Sequence, residues 1–212
     1  MDKKKEIETN EGRIGDSMAK KNKTAVRIKM VVFMFSITFV FVVMLSFVHL
    51  YTKSRIKRNE KLFLKRSVLY TANVPIPKSD EELDNYFKEN VIETVATNSV
   101  PQYKLKNSTI VVHTIDGAGL WGVIRAHVGF DTQTSNLTGI DFIKQSETPG
   151  LGARIAEEWF LEQFRGKKGP FTYVPEGEND SDNQFDAITG ATVTTKAIKY
   201  IVNKATEINN AK

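Results

Sequence analysis

The sequence predicts one membrane-spanning helix followed by a single α+β domain. Three observations indicate this fold class: a long uncharged run near the N-terminus, three β-rich runs separated by turn residues, and amphipathic helical patterns on either side of those runs. With 41% hydrophobic and 26% charged residues, the chain has the composition of a folded protein. It contains no cysteine, which excludes thiolate iron–sulfur clusters, thiolate zinc sites and the usual covalent attachment of c-type haem.

The uncharged run extends from Met30 to Leu50 and contains 21 residues. A helix of that length covers the hydrocarbon core of a bilayer, which is roughly 30 Å thick. A cleavable signal peptide would have a shorter apolar region followed by small residues at a cleavage site. Here Tyr51, Thr52 and Lys53 follow instead. We therefore predict an uncleaved transmembrane helix over residues 30–50.

The net charge of +5 is concentrated around this helix. Residues 1–70 contain 16 Lys and Arg against 6 Asp and Glu, whereas residues 71–212 contain 14 against 19. This distribution favours contact with anionic lipid headgroups over binding of nucleic acid. The basic flanks slightly favour a cytoplasmic C-terminus, but large domains cross a membrane regardless of charge, so the charges alone leave the topology open.

Three further segments are predicted around the membrane helix. Residues 1–29 have too few apolar side chains to fold alone and are expected to form a mobile tail. Residues 51–72 are a juxtamembrane segment, in which the helix is expected to continue to about Tyr70. The prolines at 75 and 77 end it, and the folded domain covers residues 73–212.

Within the domain, a capping box at Ser79 and Glu82 followed by apolar residues at helical spacing predicts a helix from about 80 to 96. The three β-rich runs are predicted to be successive antiparallel strands over residues 109–115, 121–130 and 137–143. His113 and His127 fall within them and are expected to be packed or surface residues rather than metal ligands.

The C-terminal third is predicted to contain two more helices and one strand. Ile155, Trp159, Phe160 and Phe164 indicate a helix ending at Gly166, with Glu157, Glu158 and Glu162 on its solvated face. Residues 171–174 are expected to be a strand. The last helix is expected from about Val193 to Ile208, after an acidic loop.

The most specific local motif is Asp186-Ala-Ile-Thr-Gly-Ala-Thr192, where the acidic loop meets the last helix. Thr192 is placed where free backbone N–H groups and the positive end of the helix dipole favour a phosphate or another anion. Thr194 and Thr195 are expected to add hydroxyl donors to that anion. The alternative is that Thr192 is only an N-cap, which contributes about 1 kcal/mol of helix stability.

Two further motifs lie upstream. Glu147-Thr-Pro-Gly-Leu-Gly152 predicts a type II turn, with Pro149 at its second position and Gly150 supplying a positive φ at its third. Gly117-Ala-Gly-Leu-Trp-Gly122 satisfies the letters of a dinucleotide-binding fingerprint, and Asp141 lies about twenty residues further on. A β-rich run rather than a helix follows, so we reject a Rossmann fold. The alternative is a hairpin turn with a buried Trp.

Together these three motifs resemble the FMN-binding subunits of membrane redox complexes, namely the C subunit of the Na⁺-translocating NADH:quinone reductase and the G subunit of the Rnf complex. In that family the last Thr of the flavinylation motif, here Thr192, is esterified to the phosphate of FMN. Asp186 belongs to the same motif, and the resemblance implies no catalytic residue and no metal ligand. The further cofactor-binding residues that it implies are Leu120, Trp121, Glu147, Thr148, Pro149, Gly150, Leu151, Gly152, Thr189, Gly190, Ala191, Val193, Thr194 and Thr195.

The resemblance implies an electron-transfer subunit that carries covalent FMN in an ion-translocating respiratory oxidoreductase complex, with no turnover by the isolated chain. Its expected partners are other membrane subunits of an Nqr or Rnf type complex and a magnesium-dependent flavin transferase. It also implies that the domain lies on the extracytoplasmic side of the inner membrane and residues 1–29 in the cytoplasm. The alternative is a membrane-tethered flavin-binding sensor or interaction domain without electron relay.

Overall fold

The computed structural model describes residues 2–95 and 100–211, with side chains described from residue 26 onward. It divides into two compact units, Met1–Lys57 and Arg58–Lys212. The elements in chain order are α1 (Asp2–Thr71), α2 (Asp80–Asn90), β1 (Val91–Val95), β2 (Pro101–Leu105), β3 (Ile110–Ala118), β4 (Val123–Asp131), β5 (Leu137–Lys144), a 3₁₀ helix (Gly152–Ala156), α3 (Glu158–Glu162), β6 (Thr172–Val174), β7 (Gln184–Asp186) and α4 (Thr192–Asn210).

The first unit is helical. Over the described residues one helix is long and apolar enough to cross a membrane, Val26–Thr71, with a mean hydropathy of 2.7 in its most apolar window. The hydroxyls of Ser36 and Thr38 donate to carbonyls four residues earlier, so these polar groups are satisfied within the helix. Helix α1 begins at Asp2, so it includes the segment that the sequence predicts to be a mobile tail. Lys and Glu, frequent there, are good helix formers.

The second unit is built on a five-stranded antiparallel sheet with strand order β1-β2-β3-β4-β5. The three predicted strands are β3, β4 and β5, so their existence, order and antiparallel pairing are confirmed. The predicted α+β fold class is also confirmed. The predicted helix from 80 to 96 is only partly right, because α2 ends at Asn90 and Val91–Val95 forms the edge strand β1. Residue 96 lies outside the described residues.

Side chains of β4 alternate between two apolar layers, as the period of a strand requires. Ile124, Ala126, Val128 and Phe130 face the larger core, which also contains buried residues of α3 and α4. His127 and Gly129 face the other layer, where the last turns of α1 pack on the sheet. Residues 62–72 of α1 share a second apolar cluster with α2 and with Val91, Leu105 and Val112.

The segment before Gly166 differs from the single predicted helix. It forms the 3₁₀ helix and the short helix α3, separated by Glu157 in an extended conformation (φ −76°, ψ 143°), and Glu157 caps α3 through its carbonyl. Glu157, Glu158 and Glu162 are exposed as predicted. The predicted strand over residues 171–174 exists as β6, which pairs in parallel with β7, a strand absent from the prediction. Helix α4 closely matches its predicted range.

Candidate cofactor site

A cleft of about 210 Å³, here called the α4 cleft, opens at the N-terminal end of α4. The structure brings all three sequence motifs together there: the glycine–Trp motif supplies Leu120, the Pro-Gly motif supplies one wall and the helix-entry motif supplies the other. Every lining residue is among those predicted. They are Leu120, Glu147, Thr148, Leu151, Gly152, Gly190, Ala191, Thr192, Val193 and Thr194.

Glu147 connects the three motifs. Its Oε1 accepts a hydrogen bond from the backbone N–H of Trp121 at 3.1 Å, and its Oε2 accepts one from the hydroxyl of Thr194. Only 5% of Glu147 is exposed. One buried carboxylate therefore joins the β3–β4 hairpin, the segment that begins the Pro-Gly turn, and the first turn of α4.

Two glycines allow this carboxylate to approach so closely. A Cβ on Gly119 would lie 2.6 Å from Oε1 of Glu147, and a Cβ on Gly152 would lie 2.6 Å from the hydroxyl oxygen of Thr194. Real Cβ atoms do not come so near a neighbouring atom, so any larger residue would displace Glu147 or Thr194. One glycine in each of the two upstream motifs is therefore explained by close packing around Glu147.

The glycine–Trp motif is a hairpin turn between β3 and β4, in which the N–H of Gly119 donates to the carbonyl of Gly122 at 2.8 Å. A strand follows the glycines, so the rejection of a Rossmann fold is confirmed. The alternative of a buried Trp is wrong: Trp121 is 67% exposed, and its indole N–H donates to the hydroxyl of Thr148 at 3.1 Å.

The Pro-Gly motif forms the predicted turn. The N–H of Leu151 donates to the carbonyl of Thr148 at 3.1 Å, and Gly150 at the third position has a φ of +74°. These are the closing hydrogen bond and the positive φ of a type II turn. The turn leaves Leu151 44% exposed at the edge of the α4 cleft.

Thr192 is the first residue of α4 and is exposed in the α4 cleft. The cap residue is Ala191, which has no side-chain cap hydrogen bond, so the alternative that Thr192 is the N-cap is wrong by one position. The N–H groups of the first helical turn have no partner within the helix. An exposed hydroxyl and backbone donors therefore meet at the positive end of the helix dipole.

The hydroxyls of Thr194 and Thr195 do not face an anion at this position, which corrects the expectation. Thr194 donates to Glu147, while the hydroxyl of Thr195 donates to the carbonyl of Ala191 at 3.1 Å and accepts from the N–H of Ile188 at 3.2 Å. Both side chains are buried. The anion-binding groups that remain are the backbone N–H groups and Thr192.

A carboxylate that the sequence did not reveal holds the loop before α4. Glu176 accepts hydrogen bonds from the backbone N–H of Thr189 at 3.1 Å and from two nitrogens of Arg154 at 2.7 and 3.2 Å. The Arg154 contact, together with the Thr189 N–H, lowers the pKa of Glu176 to about 2. Asp186 lies in β7, where its carboxylate accepts the N–H of Asn179 at 2.9 Å.

The surroundings of the α4 cleft are unusually apolar. A neighbouring groove of about 550 Å³ shares Val193 with it and is also lined by Val123, Lys196 and Tyr200. Among the described residues after position 100, the exposed large apolar side chains other than Trp159 all lie around these two concavities. They are Leu120, Trp121, Val123, Leu151, Val193 and Tyr200.

Over the described ranges, no group of three or more His, Asp or Glu side chains could hold a metal ion. His113 and His127 are both buried in the sheet, so they are packed rather than surface residues.

Residues 119–207 match the family model described as an FMN-binding domain. Two curated relatives represent two kinds of complex. The C subunit of the Na⁺-translocating NADH-quinone reductase of Vibrio anguillarum is 32% identical over 98 residues, which are 42% of this chain and 38% of the relative. The G subunit of the Na⁺-translocating ferredoxin:NAD⁺ oxidoreductase complex of Acetobacterium woodii is 34% identical over 107 residues, which are 48% of this chain and 51% of the relative.

Two crystal structures share the fold. The C subunit of the Na⁺-translocating NADH-quinone reductase of Parabacteroides distasonis has a TM-score of 0.60 at 24% identity, covering 76% of this chain and 95% of that chain. NqrC of Shewanella oneidensis has a TM-score of 0.58 at 19% identity, covering 73% and 94%.

The chain therefore has an apolar N-terminal helix and a domain that is similar in sequence to FMN-binding domains and in fold to two C subunits. The resemblance predicted from the motifs, to the C subunits of Nqr complexes and the G subunits of Rnf complexes, is confirmed. These relatives are subunits of oxidoreductase complexes, and the alignments span about half of their length or less.

Proposed function

We propose that this protein carries FMN esterified to Thr192 and transfers electrons within a membrane-bound, ion-translocating oxidoreductase complex. The observation that carries the proposal is the exposed Thr192 hydroxyl in a cleft to which all three motifs contribute. The match of residues 119–207 to the FMN-binding domain model supports FMN as the cofactor. The isolated chain is not expected to turn over a substrate, because the relatives that it resembles are single subunits of larger complexes.

The residues present fit FMN. The first turn of α4 offers N–H groups and a positive dipole to a phosphate, beside the Thr192 hydroxyl that would form the ester. Leu120, Trp121 and Leu151 expose apolar and aromatic surface that suits a flat ring. Bound FMN would supply the redox chemistry that the side chains of this chain lack.

The size of the α4 cleft supports a partly exposed cofactor. Its volume of about 210 Å³ is smaller than the ~300–1,000 Å³ of typical ligand pockets. Part of FMN would therefore lie outside it, against the exposed Trp121 and Leu151. An exposed ring suits exchange of electrons with a partner, and the apolar surface around the cleft would provide the contact. A covalent tether would also keep the cofactor at high local concentration where a released flavin would be lost by dilution.

The same proposal includes the partners and the location. The partners are other membrane subunits of an Nqr or Rnf type complex, and a flavin transferase during maturation. The domain would lie on the extracytoplasmic side, with Asp186 and Thr189 in the sequence that the transferase recognises. Similarity to both subunit types supports the role they share rather than one of the two complexes.

The test is to co-express the full chain with the transferase, purify it in detergent, and examine the denatured protein on a gel under ultraviolet light. We expect a fluorescent band, lost in Thr192→Val and kept in Thr194→Val, which leaves the Thr192 hydroxyl intact. Mass spectrometry should find the peptide containing Thr192 heavier by FMN less one water, as ester formation requires. A colourless wild-type band, or fluorescence retained in Thr192→Val, would contradict the proposal and leave a tethered binding or sensor domain.

A further inference from the structure

The most unusual group in the α4 cleft is the carboxylate of Glu147. It is buried, it lines the cleft, and it contacts Thr194, the third residue of α4. It therefore lies against the same helical turn that would bind the phosphate of FMN.

This carboxylate has the environment of a resident anion. Both oxygens accept hydrogen bonds, from the Trp121 N–H and from the Thr194 hydroxyl, which is the bonding pattern of an ionised carboxylate. Negative charge is favourable at the positive end of a helix dipole. Among the described side chains, no Lys, Arg or His forms an ion pair with Glu147.

An anion that binds at this turn, such as the phosphate of FMN, would be repelled by the negative charge of Glu147. Because Glu147 is buried, water screens this repulsion only weakly. We propose that Glu147 is a specificity-determining residue: its charge weakens reversible binding of the FMN phosphate, so that retention of the cofactor depends on the ester at Thr192. The inference rests on the proposed function, because it concerns the same cleft and cofactor. It extends that function by assigning to Glu147 the discrimination between a tethered and a freely bound flavin.

A purely structural role for Glu147 makes the opposite prediction. If the carboxylate only held the hairpin and the helix together, weakening it would loosen the α4 cleft and reduce binding of every flavin. If its charge opposes the phosphate, removing the charge at constant shape should strengthen binding of FMN and leave riboflavin, which has no phosphate, unaffected. The two accounts therefore differ in the sign of the effect.

The experiment uses the full chain in detergent with Thr192→Val, which prevents the ester, and titrates free FMN and free riboflavin by flavin fluorescence. We expect this variant to bind riboflavin at least as tightly as FMN. Adding Glu147→Gln should tighten FMN binding roughly two- to fivefold, the size of a typical charge effect at a helix end, with riboflavin affinity unchanged. Adding Thr194→Val instead removes one hydrogen bond but keeps the charge, and should not tighten FMN binding.

The inference is overturned if Glu147→Gln leaves FMN affinity equal or lower, if Thr192→Val alone binds FMN more tightly than riboflavin, or if neither flavin binds to either protein. The comparison of the two flavins requires no change at Glu147, so it can overturn the inference even if the Glu147 variant fails to fold. Failure of the proposed ester is detected separately, as an unmodified wild-type peptide, and does not alter the expected order of affinities.

Discussion

The hydroxyl of Ser67 and Nδ1 of His127 share a buried hydrogen bond of 2.9 Å, which joins the last turn of α1 to strand β4. His127 is 1% exposed, and burial, with a smaller contribution from the charge of Arg125, lowers its pKa to about 4. Asp141 lies opposite His127 on β5. Burial raises the pKa of Asp141, and a hydrogen bond with Ser67 partly offsets that rise. The contact between α1 and the sheet therefore contains two titratable groups whose pKa values are shifted in opposite directions.

We expect the free energy of unfolding to fall as the pH is lowered from about 6.5 to about 4. The unfolded chain binds a proton on His127 near pH 6.5, whereas the folded state excludes it until about pH 4, so His127 alone contributes a slope of up to about 1.4 kcal/mol per pH unit. The raised pKa of Asp141 acts in the opposite sense, because the folded state then binds a proton that the unfolded state releases. Urea unfolding of the full chain in detergent across this range measures the net slope.

The variant His127→Asn separates the two contributions, since Asn has a polar group near the position of Nδ1 but does not titrate. We expect it to be less stable at pH 7.5, by about 1–3 kcal/mol, because it leaves space in a packed layer. Between pH 6.5 and 4 its stability should fall less steeply than that of the wild type, or rise. An unchanged pH dependence in this variant would show that His127 is not the responsible group.

The close approach of α1 to the sheet gives a second prediction, at Gly129. A Cβ there would lie 2.4 Å from both the carbonyl oxygen of Thr71 and the hydroxyl of Thr138, which themselves share a hydrogen bond of 2.6 Å. Gly129→Ala should therefore destabilise the protein by about 2 kcal/mol or more, through overpacking and loss of that bond.

The matched control is Gly122→Ala, because a Cβ on Gly122 meets no atom within 4 Å. Its effect on the free energy of unfolding should lie within about 0.5 kcal/mol. Urea unfolding of both variants tests the contact between α1 and the sheet directly. Equal stability of the two variants would mean that α1 does not pack against β4 in solution.

The sequence predicted those parts of this fold that are determined locally. A positive φ at Gly150 and the side-chain cap at Ser79 depend on residues within one turn, so their motifs were sufficient. Strand β1 was missed because Leu83, Phe87 and Val91 keep helical spacing through its first residue, while its real partner, Leu105, lies fourteen positions further on. Only the tertiary pairing ends the helix at Asn90.

The distinction between features set by local sequence and features set by tertiary contacts also applies to the site. All ten residues that line the α4 cleft were predicted, eight of them within the three motifs, but the direction in which each side chain points was not. Thr194 and Thr195 look alike in the sequence as hydroxyl donors for an anion. Which way each hydroxyl turns depends on Glu147 and Ile188, which are brought to α4 only by the fold. Glu176 was missed because nothing within its acidic loop indicates a contact with Thr189.

Glu176 gives a third prediction. Its carboxylate fixes the Thr189 N–H three residues before the proposed attachment site, so Glu176→Gln should reduce hydrogen-exchange protection of the Thr189 amide. We also expect slower attachment of FMN to Thr192 during co-expression with the transferase, because the loop before Thr192 is less well ordered. The pKa of about 2 means that Arg154 stays paired with Glu176 throughout the pH range used for either measurement.

The control for this variant is Glu178→Gln, which changes an exposed residue of the same loop. It should leave both Thr189 protection and the rate of FMN attachment unchanged. If the two variants behave alike, the contact between Glu176 and Thr189 does not order the attachment loop.

The two tryptophans provide a final prediction, about the position of the flavin ring. Trp121 is 67% exposed at the edge of the α4 cleft, where its indole N–H donates to Thr148. An indole in contact with a flavin ring quenches the fluorescence of the flavin by stacking. In the native, FMN-loaded protein, Trp121→Leu should therefore increase flavin emission several-fold, while emission after denaturation should equal that of the wild type. Trp159→Leu is the matched control, because Trp159 packs against Phe160 and Arg154, whereas Trp121 donates a hydrogen bond to Thr148, which lines the α4 cleft. Increased emission in the Trp159 variant alone would place the ring elsewhere on the domain.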